Sequence, residues 1–531
     1  MKTLRWVDMA VIGLYFLVVA GIGWYFSRQQ TTTEAYYVAR RRVPFWAMGL
    51  SVFATIISSI TFIAYPGAAF NGDWNLLVPG FMAVGVLCLL GRTLVDFFRK
   101  AVRMSAYEYF ERRFGYSARA YGALAFCIGH FSKMGFVLFT ITTAICAMTG
   151  WGASMVIIVA GSVTVLYTLF GGLEAVIWTE VLQGFVKLAG VIVALGVLIH
   201  LMPGGFPAAW NLVCAEHKLS LGDFHFNLAE KGNFWVMILY GGFWYLQKYA
   251  ADQTLVQRYL VARSDREALR GVTLGALLCL PAWTAFMLTG TLLWAFFHLS
   301  GHVFPPQMMD DHGSIIADRV FPYFLTVWIP PGLAGLFIAA LLSAAMSTMS
   351  SDLNCLSAVG VTDFYMRLKP GAGDRKKLWV GKIIVGVCGL VAVGVGEFIA
   401  REGDHALALY YATTAIASAG LAGMFLLAFF TERANRQGLW VGLGCALVFT
   451  AWAVLTTGPG RLLDVGWNYS GPEVMIGVLA HLIVLVVGYA ASLFFPKEAP
   501  GPGAWTFWQW RKRSSPLGDE NMAALGTQVN L

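Results

Sequence analysis

Apolar residues run through this chain in long blocks parted by short polar stretches, from Asp8 to Phe495. A hydrocarbon layer about 30 Å thick needs roughly 20 apolar residues in helical form. On that ruler thirteen helices are predicted, over about 8–26, 45–70, 75–98, 119–148, 153–170, 174–201, 233–252, 267–299, 330–358, 377–401, 405–430, 437–457 and 472–495. No long polar interval divides them, so one transmembrane domain is expected over 1–495, with its core over about 45–201 and 233–430. Residues 496–531 are mostly polar and are expected to form a mobile cytoplasmic tail.

Composition narrows the class further. The chain is 58% hydrophobic and 12% charged, against about 45–50% and about 25% in ordinary globular chains. A cytosolic enzyme, a disordered protein and a nucleic-acid binder are set aside. The net charge of +8 has a lipid-facing explanation instead. With the N-terminus outside, 25 of the 37 Lys and Arg residues fall on the inner side, including Arg40, Arg41, Arg42, Arg258, Arg375, Lys376 and Lys377. Seven fall outside, and Arg92, Lys133, Lys187, Lys248 and Lys382 lie within spans. That bias predicts an outside N-terminus and a cytoplasmic C-terminus. The eight cysteines include no CxxC pair, so neither a disulfide framework nor a cysteine metal site is expected.

Two spans look interrupted. The second, SVFATIISSITFIAYPG (51–67), places Thr55, Ser58, Ser59 and Thr61 ahead of Tyr65-Pro66-Gly67. The seventh, LYGGFWYLQKYAADQ (239–253), combines a Gly pair with Gln247, Lys248 and Asp252. Irregular backbone at membrane depth is tolerated where it is buried in protein or lines a cavity. Two such helices five spans apart suit a five-plus-five inverted repeat, whose unwound turns leave carbonyls free for a cation.

The ninth span carries SAAMSTMSSDLN (343–354). Helical side chains lean toward the N-terminus, so the Ser347 and Thr348 hydroxyls can sit beside the Ala344 carbonyl as three hard oxygen donors. Ser350 and Ser351 extend the patch and Asp352 adds a charge; close helix packing glued by hydroxyls would use the same residues. Glu180, in GGLEAVIWTEVLQ (171–183), lies on the order of 9 Å along the helix from Glu174. An acid that deep must pair, titrate or meet a cation, unless it sits in the headgroup zone. Lys133 lies about 21 Å past Arg119, and would either pair with an acid such as Glu180 or attract an anionic solute group.

These segments, together with SAYEYFERRFG (105–115), DQTLVQRYL (252–260) and TDFY (362–365), resemble the solute:sodium symporter family from about residue 5 to 495. That family includes sodium-coupled sugar, proline and sialic-acid transporters. The resemblance implies an all-α, LeuT-like core over spans two to eleven. It also implies a principal sodium site built from the Ala54 and Ile57 carbonyls, the Ala344 carbonyl and the Ser347 and Thr348 hydroxyls. A second sodium would use Ser347, Ser350, Ser351 and Glu180, where relatives commonly carry Asp. Ser58, Thr61 and Lys133 match the region in which sialic-acid transporters hold their ligand. Tyr245 stands where sugar transporters have an asparagine and Lys248 where they have an aromatic gate, which adds both to the expected solute site.

The resulting expectation is a sodium-coupled symporter, not an enzyme, importing a small organic solute with a carboxylate, sialic acid or another sugar acid, by alternating access. Its partners would be sodium, the solute and the bilayer of the plasma (inner) membrane, and it would be monomeric. A sodium-coupled neutral sugar transporter, or a proton-coupled transporter using Glu180, are the alternatives.

Overall fold

A chain surrounded by lipid has no water to satisfy its backbone, so it must bond its N–H and C=O groups internally. The computed structural model describes residues 5–310, 313–330, 332–402, 415–416, 419–458, 461–497 and 505–513. Among the described residues the chain is helical, and its only β features are isolated bridges between Val43 and Ala262 and between Met309 and Ile315. Helix α1 covers Trp6–Ser27. Helices α2 (Phe45–Ile56) and α3 (Ser59–Asn71) follow, then α4 over Asn75–Ala101, α5 (Tyr116–Thr149) and α6 (Ala153–His200). The second half comprises α7 (Phe234–Ala250), α8 (Gln253–Val261), α9 (Asp265–Ser300), α10 (Leu333–Val359) and α11 (Asp374–Glu402). Helices α12 (Leu421–Phe430), α13 (Arg436–Thr456), α14 (Glu473–Phe494) and α15 (Phe507–Arg513) complete it.

Nine of the described helices are long and apolar enough to cross a membrane, or ten if the bent α2–α3 pair counts as one. Three features separate this number from the thirteen spans expected. Helix α6 has 48 residues, about 72 Å if straight, more than twice the hydrocarbon thickness. Gly172, at φ +59° and ψ −162°, turns it at the junction expected between 153–170 and 174–201. A Cβ at Gly172 would also meet the Tyr36 ring at 2.8 Å. Helix α7 has only 17 residues. Residues 405–414 and 417–418 of the expected span 405–430 lie outside the described residues.

The architecture centres on α10. An 18-residue apolar stretch of its span is 83% buried, against 22% for the corresponding stretch of α1 at the periphery. Helix α10 packs on α6, α5 and α1, while α2 packs on α9 and α6. The small residues of SAAMSTMSS permit that central position, since close helix approach is the main attraction available in lipid. The broken pair α2–α3 is thus held between α6, α9 and α10.

The tail also differs from expectation where it is described. Tyr109 donates its hydroxyl to the Trp505 carbonyl at 3.0 Å, and Trp508 Nε1 donates to the Phe430 carbonyl at 3.0 Å. Trp510 is buried, edge-on to Phe97. Aromatic side chains with a polar tip anchor residues 505–513 to the end of the bundle that carries Tyr109 and Phe430; residues 498–504 and 514–531 lie outside the described residues.

Candidate cation and solute sites

Helix α2 ends early because Ile57 (φ −79°, ψ 96°) and Ser58 (φ −98°, ψ 178°) are extended, and α3 leaves at 59° to α2. A helix end leaves its last carbonyls without intrahelical partners, and here those of Ala54 and Ile57 are set free inside the protein. Helix α10 brings Ser347 to them: its Oγ lies 3.0 Å from the Ala54 oxygen and 3.3 Å from the Ala344 oxygen. Thr348 Oγ1 donates to the Ala344 oxygen at 3.1 Å. The five expected sodium donors are therefore brought to one place.

Three of them surround a side chain of the protein itself. Lys187, on α6 and 1% exposed, donates from Nζ to the Ala54 oxygen, the Ile57 oxygen and Ser347 Oγ, each at 2.7 Å. An ammonium carries three donors and no acceptor, so all three of its protons are matched. A sodium ion sharing those oxygens would sit roughly 3 Å from Nζ, where two unit charges repel by about 5 kcal/mol even at an effective dielectric constant of 20. The residues present do not fit a sodium ion and the ammonium together.

The second expected ion position is also filled from within. Arg258, fully buried on α8, places Nη2 at 3.0 and 2.9 Å from the two Glu180 oxygens. Its Nη2 also reaches Ser351 Oγ and its Nε reaches Ser51 Oγ at 3.2 Å. Ser51 and Ser351 both donate to Glu180. Counting Arg258 among inner-surface charges is thus corrected: DQTLVQRYL folds as a wholly buried helix, and its arginine pairs with an acid. Glu180 does not stand open for a second sodium, nor as the free carboxyl that a proton-coupled route through it requires. Ser350 turns elsewhere, donating to the Ser347 carbonyl at 3.2 Å.

The expected solute residues occupy a separate ladder. Lys133 Nζ binds Asp352 Oδ1 at 2.8 Å, and His130 Nδ1 lies 2.8 Å from the same oxygen. His130 Nε2 lies 3.4 Å from Asp252 Oδ2, which Lys248 approaches at 2.5 Å. Lys133 therefore pairs with Asp352 and not with Glu180, and Asp352 is committed to this ladder. Lys133 and Lys248 each keep 23% of the side chain exposed, whereas Asp352 is fully buried. Among the described residues Asp352 Oδ2 has no hydrogen-bond partner. Tyr245 is buried beside Tyr249 and Trp283, and Trp283 stacks on Tyr65 of α3. Thr61 is buried and Ser58 half-buried at the helix break, which Ser59 ties to the Val137 carbonyl, one turn past Lys133, at 3.3 Å.

Sequence reasoning missed Lys187 and Arg258 as site residues. Lys187 had a signal: it follows Glu180 by seven residues, two turns along the same helical face. Nothing local marks its partners, which lie on α2 and α10.

An apolar helix broken at 59° and clasped by a polar central helix defines a secondary transporter of the inverted-repeat type. The sequence profile of the family described as "Sodium:solute symporter family" matches residues 36–444, and the chain belongs to that family. Sodium is the family's coupling ion, and its members are transporters, so this multi-pass membrane protein is a transporter and not an enzyme. The chain is 28% identical to a sodium/sialic acid symporter of Aliivibrio fischeri, over 91% of this chain and 92% of that one. It is also 28% identical to one of Proteus mirabilis, over 93% and 96% respectively. A solved substrate-bound, outward-open Na+-coupled sialic acid symporter aligns with a TM-score of 0.82 at 27% identity, over 93% of this chain and 99% of that one.

Proposed function

We propose that this chain is a secondary active symporter that imports a small carboxylate-bearing solute, of the sialic-acid or sugar-acid class, by alternating access. The relatives named as sodium/sialic acid symporters support the solute class. The observation that carries it is Lys133: its ammonium is partly exposed, while its acid partner, Asp352, is buried on the central helix α10. A solute carboxylate arriving at Lys133 competes with Asp352 for the same ammonium. Binding thereby loosens the contact between α5 and α10, and the solute favours one conformer over the other. Such a difference in affinity is what moves an alternating-access equilibrium.

The domain runs over 1–495 as a monomer in the plasma (inner) membrane, N-terminus outside and C-terminus cytoplasmic, as the distribution of Lys and Arg supports. Ser58, Thr61 and Tyr245 orient the solute, and Lys248 holds Asp252 in the ladder. No step is routed through the Ala54–Ile57 position, because Lys187 fills it. A neutral sugar is the second reading, favoured by one observation: Lys133 is already neutralised by Asp352 at 2.8 Å. Thermal shifts with N-acetylneuraminic acid, its methyl ester, gluconate and glucose separate the two. Stabilisation by the acids and not by the ester or glucose supports the carboxylate reading; equal stabilisation by acid and ester overturns it.

A further inference from the structure

We propose that Lys187 is the resident cation of the principal ion position, so that this transporter binds its solute without sodium there. The proposal rests on the symporter reading above for its biological meaning, but its geometry involves no solute atom. Three of the oxygens expected to hold the ion, those of Ala54, Ile57 and Ser347, each accept one proton of Nζ at 2.7 Å. All three are neutral dipoles, so an ammonium there would bring the cage the same single positive charge that a sodium ion brings. Like the ion, the ammonium ties the break after α2 to α10. Unlike the ion, it is attached to α6, and a tethered group competes at a very high effective concentration.

The neighbouring position supports the same conclusion independently. There the guanidinium of Arg258 meets both Glu180 oxygens, and arginine keeps its charge under all ordinary conditions. Both places where a family member would take an ion from solution are thus held by side chains that cannot leave. The sodium gradient then does no work through either of these two places, and there the fold is held without an ion from solution.

The test is the melting temperature of the purified full chain in NaCl, KCl and choline chloride at equal ionic strength, with no solute added. The wild type is expected to melt within about 1 °C in all three, whereas Lys187→Ala melts lower in KCl and regains about 3 °C in NaCl alone. A saturable, sodium-specific rise in the wild type overturns the proposal, and this arm decides even if the variant does not fold. A folded Lys187→Ala chain that ignores sodium overturns it too, since the cage would then be no cation site. Failure of every acid in the solute panel, with the sodium results as expected, supports this inference while removing the carboxylate reading.

Discussion

Lys187 and Lys133 are both lysines within the membrane-spanning bundle, yet they are held in opposite ways. Lys187 is sealed, with three neutral oxygens around it and, among the described residues, no carboxylate paired with it. Lys133 is partly open and bound to the carboxylate of Asp352, itself shared with His130. A cation among neutral dipoles leaves a net charge in the fold and has nothing to exchange with; its work is to hold backbone together. A cation in an ion pair adds little net charge, and its partner can be replaced by another anion. The first arrangement suits a fixed structural ion, the second a place where a solute acid arrives. Chemistry at the contact, rather than the residue type, separates the two roles.

The sharpest way to break this contrast is to disturb the sealed side. Glu180→Gln leaves the Arg258 guanidinium buried without its acid, and removing one member of a buried pair costs about 3–5 kcal/mol. Thermal or denaturant unfolding in detergent should show this as the largest loss of the four variants. Lys187→Met comes next: it removes the ammonium from the Ala54 and Ile57 carbonyls and leaves Ser347 as the partner of Ala54 alone, at about 1–3 kcal/mol for a buried unsatisfied group. The same unfolding assay measures it in KCl, and a smaller loss in NaCl would mark refilling of the cage. On the open side, Lys133→Ala should weaken binding of an acidic solute by about tenfold, near 1.4 kcal/mol. Its effect on stability should be smaller than that of Lys187→Met, because water reaches the ladder; calorimetric titration and unfolding read the two effects separately. Last, Lys231→Ala breaks a pair with Glu473 that is exposed at both partners and should cost less than about 0.5 kcal/mol. A loss there rivalling that at Lys187 would mean that burial does not control these energies.

Much of this contrast was legible in the sequence, though unevenly. The break after Ile57 was readable from hydroxyls followed by Tyr65-Pro66-Gly67, and the Ser347 patch from hydroxyls three and four residues beyond Ala344. Both are local patterns, and both now lie at one point. Lys187 was visible only as a charge within a span, because its oxygens come from helices 130 or more residues away. Arg258 was harder still. Its segment is locally polar, so it reads as an inner loop, and only tertiary packing shows that α8 is buried on every side. Lys133 offered two partners by depth alone, and Asp352 on α10, not Glu180 on α6, proved to be within reach. The docked Trp505–Arg513 segment lacked the length of a span, and its aromatic anchors found their sites on α12 and near Tyr109.

The identity of the positive charge between α2 and α10 decides between a captive ammonium and an exchangeable ion. Equilibrium binding of radioactive sodium to the purified wild-type chain, with and without excess unlabelled sodium, reads that identity without any solute. No saturable component is expected in the wild type, and one is expected to appear in Lys187→Ala. One saturable sodium per wild-type chain would contradict the captive lysine.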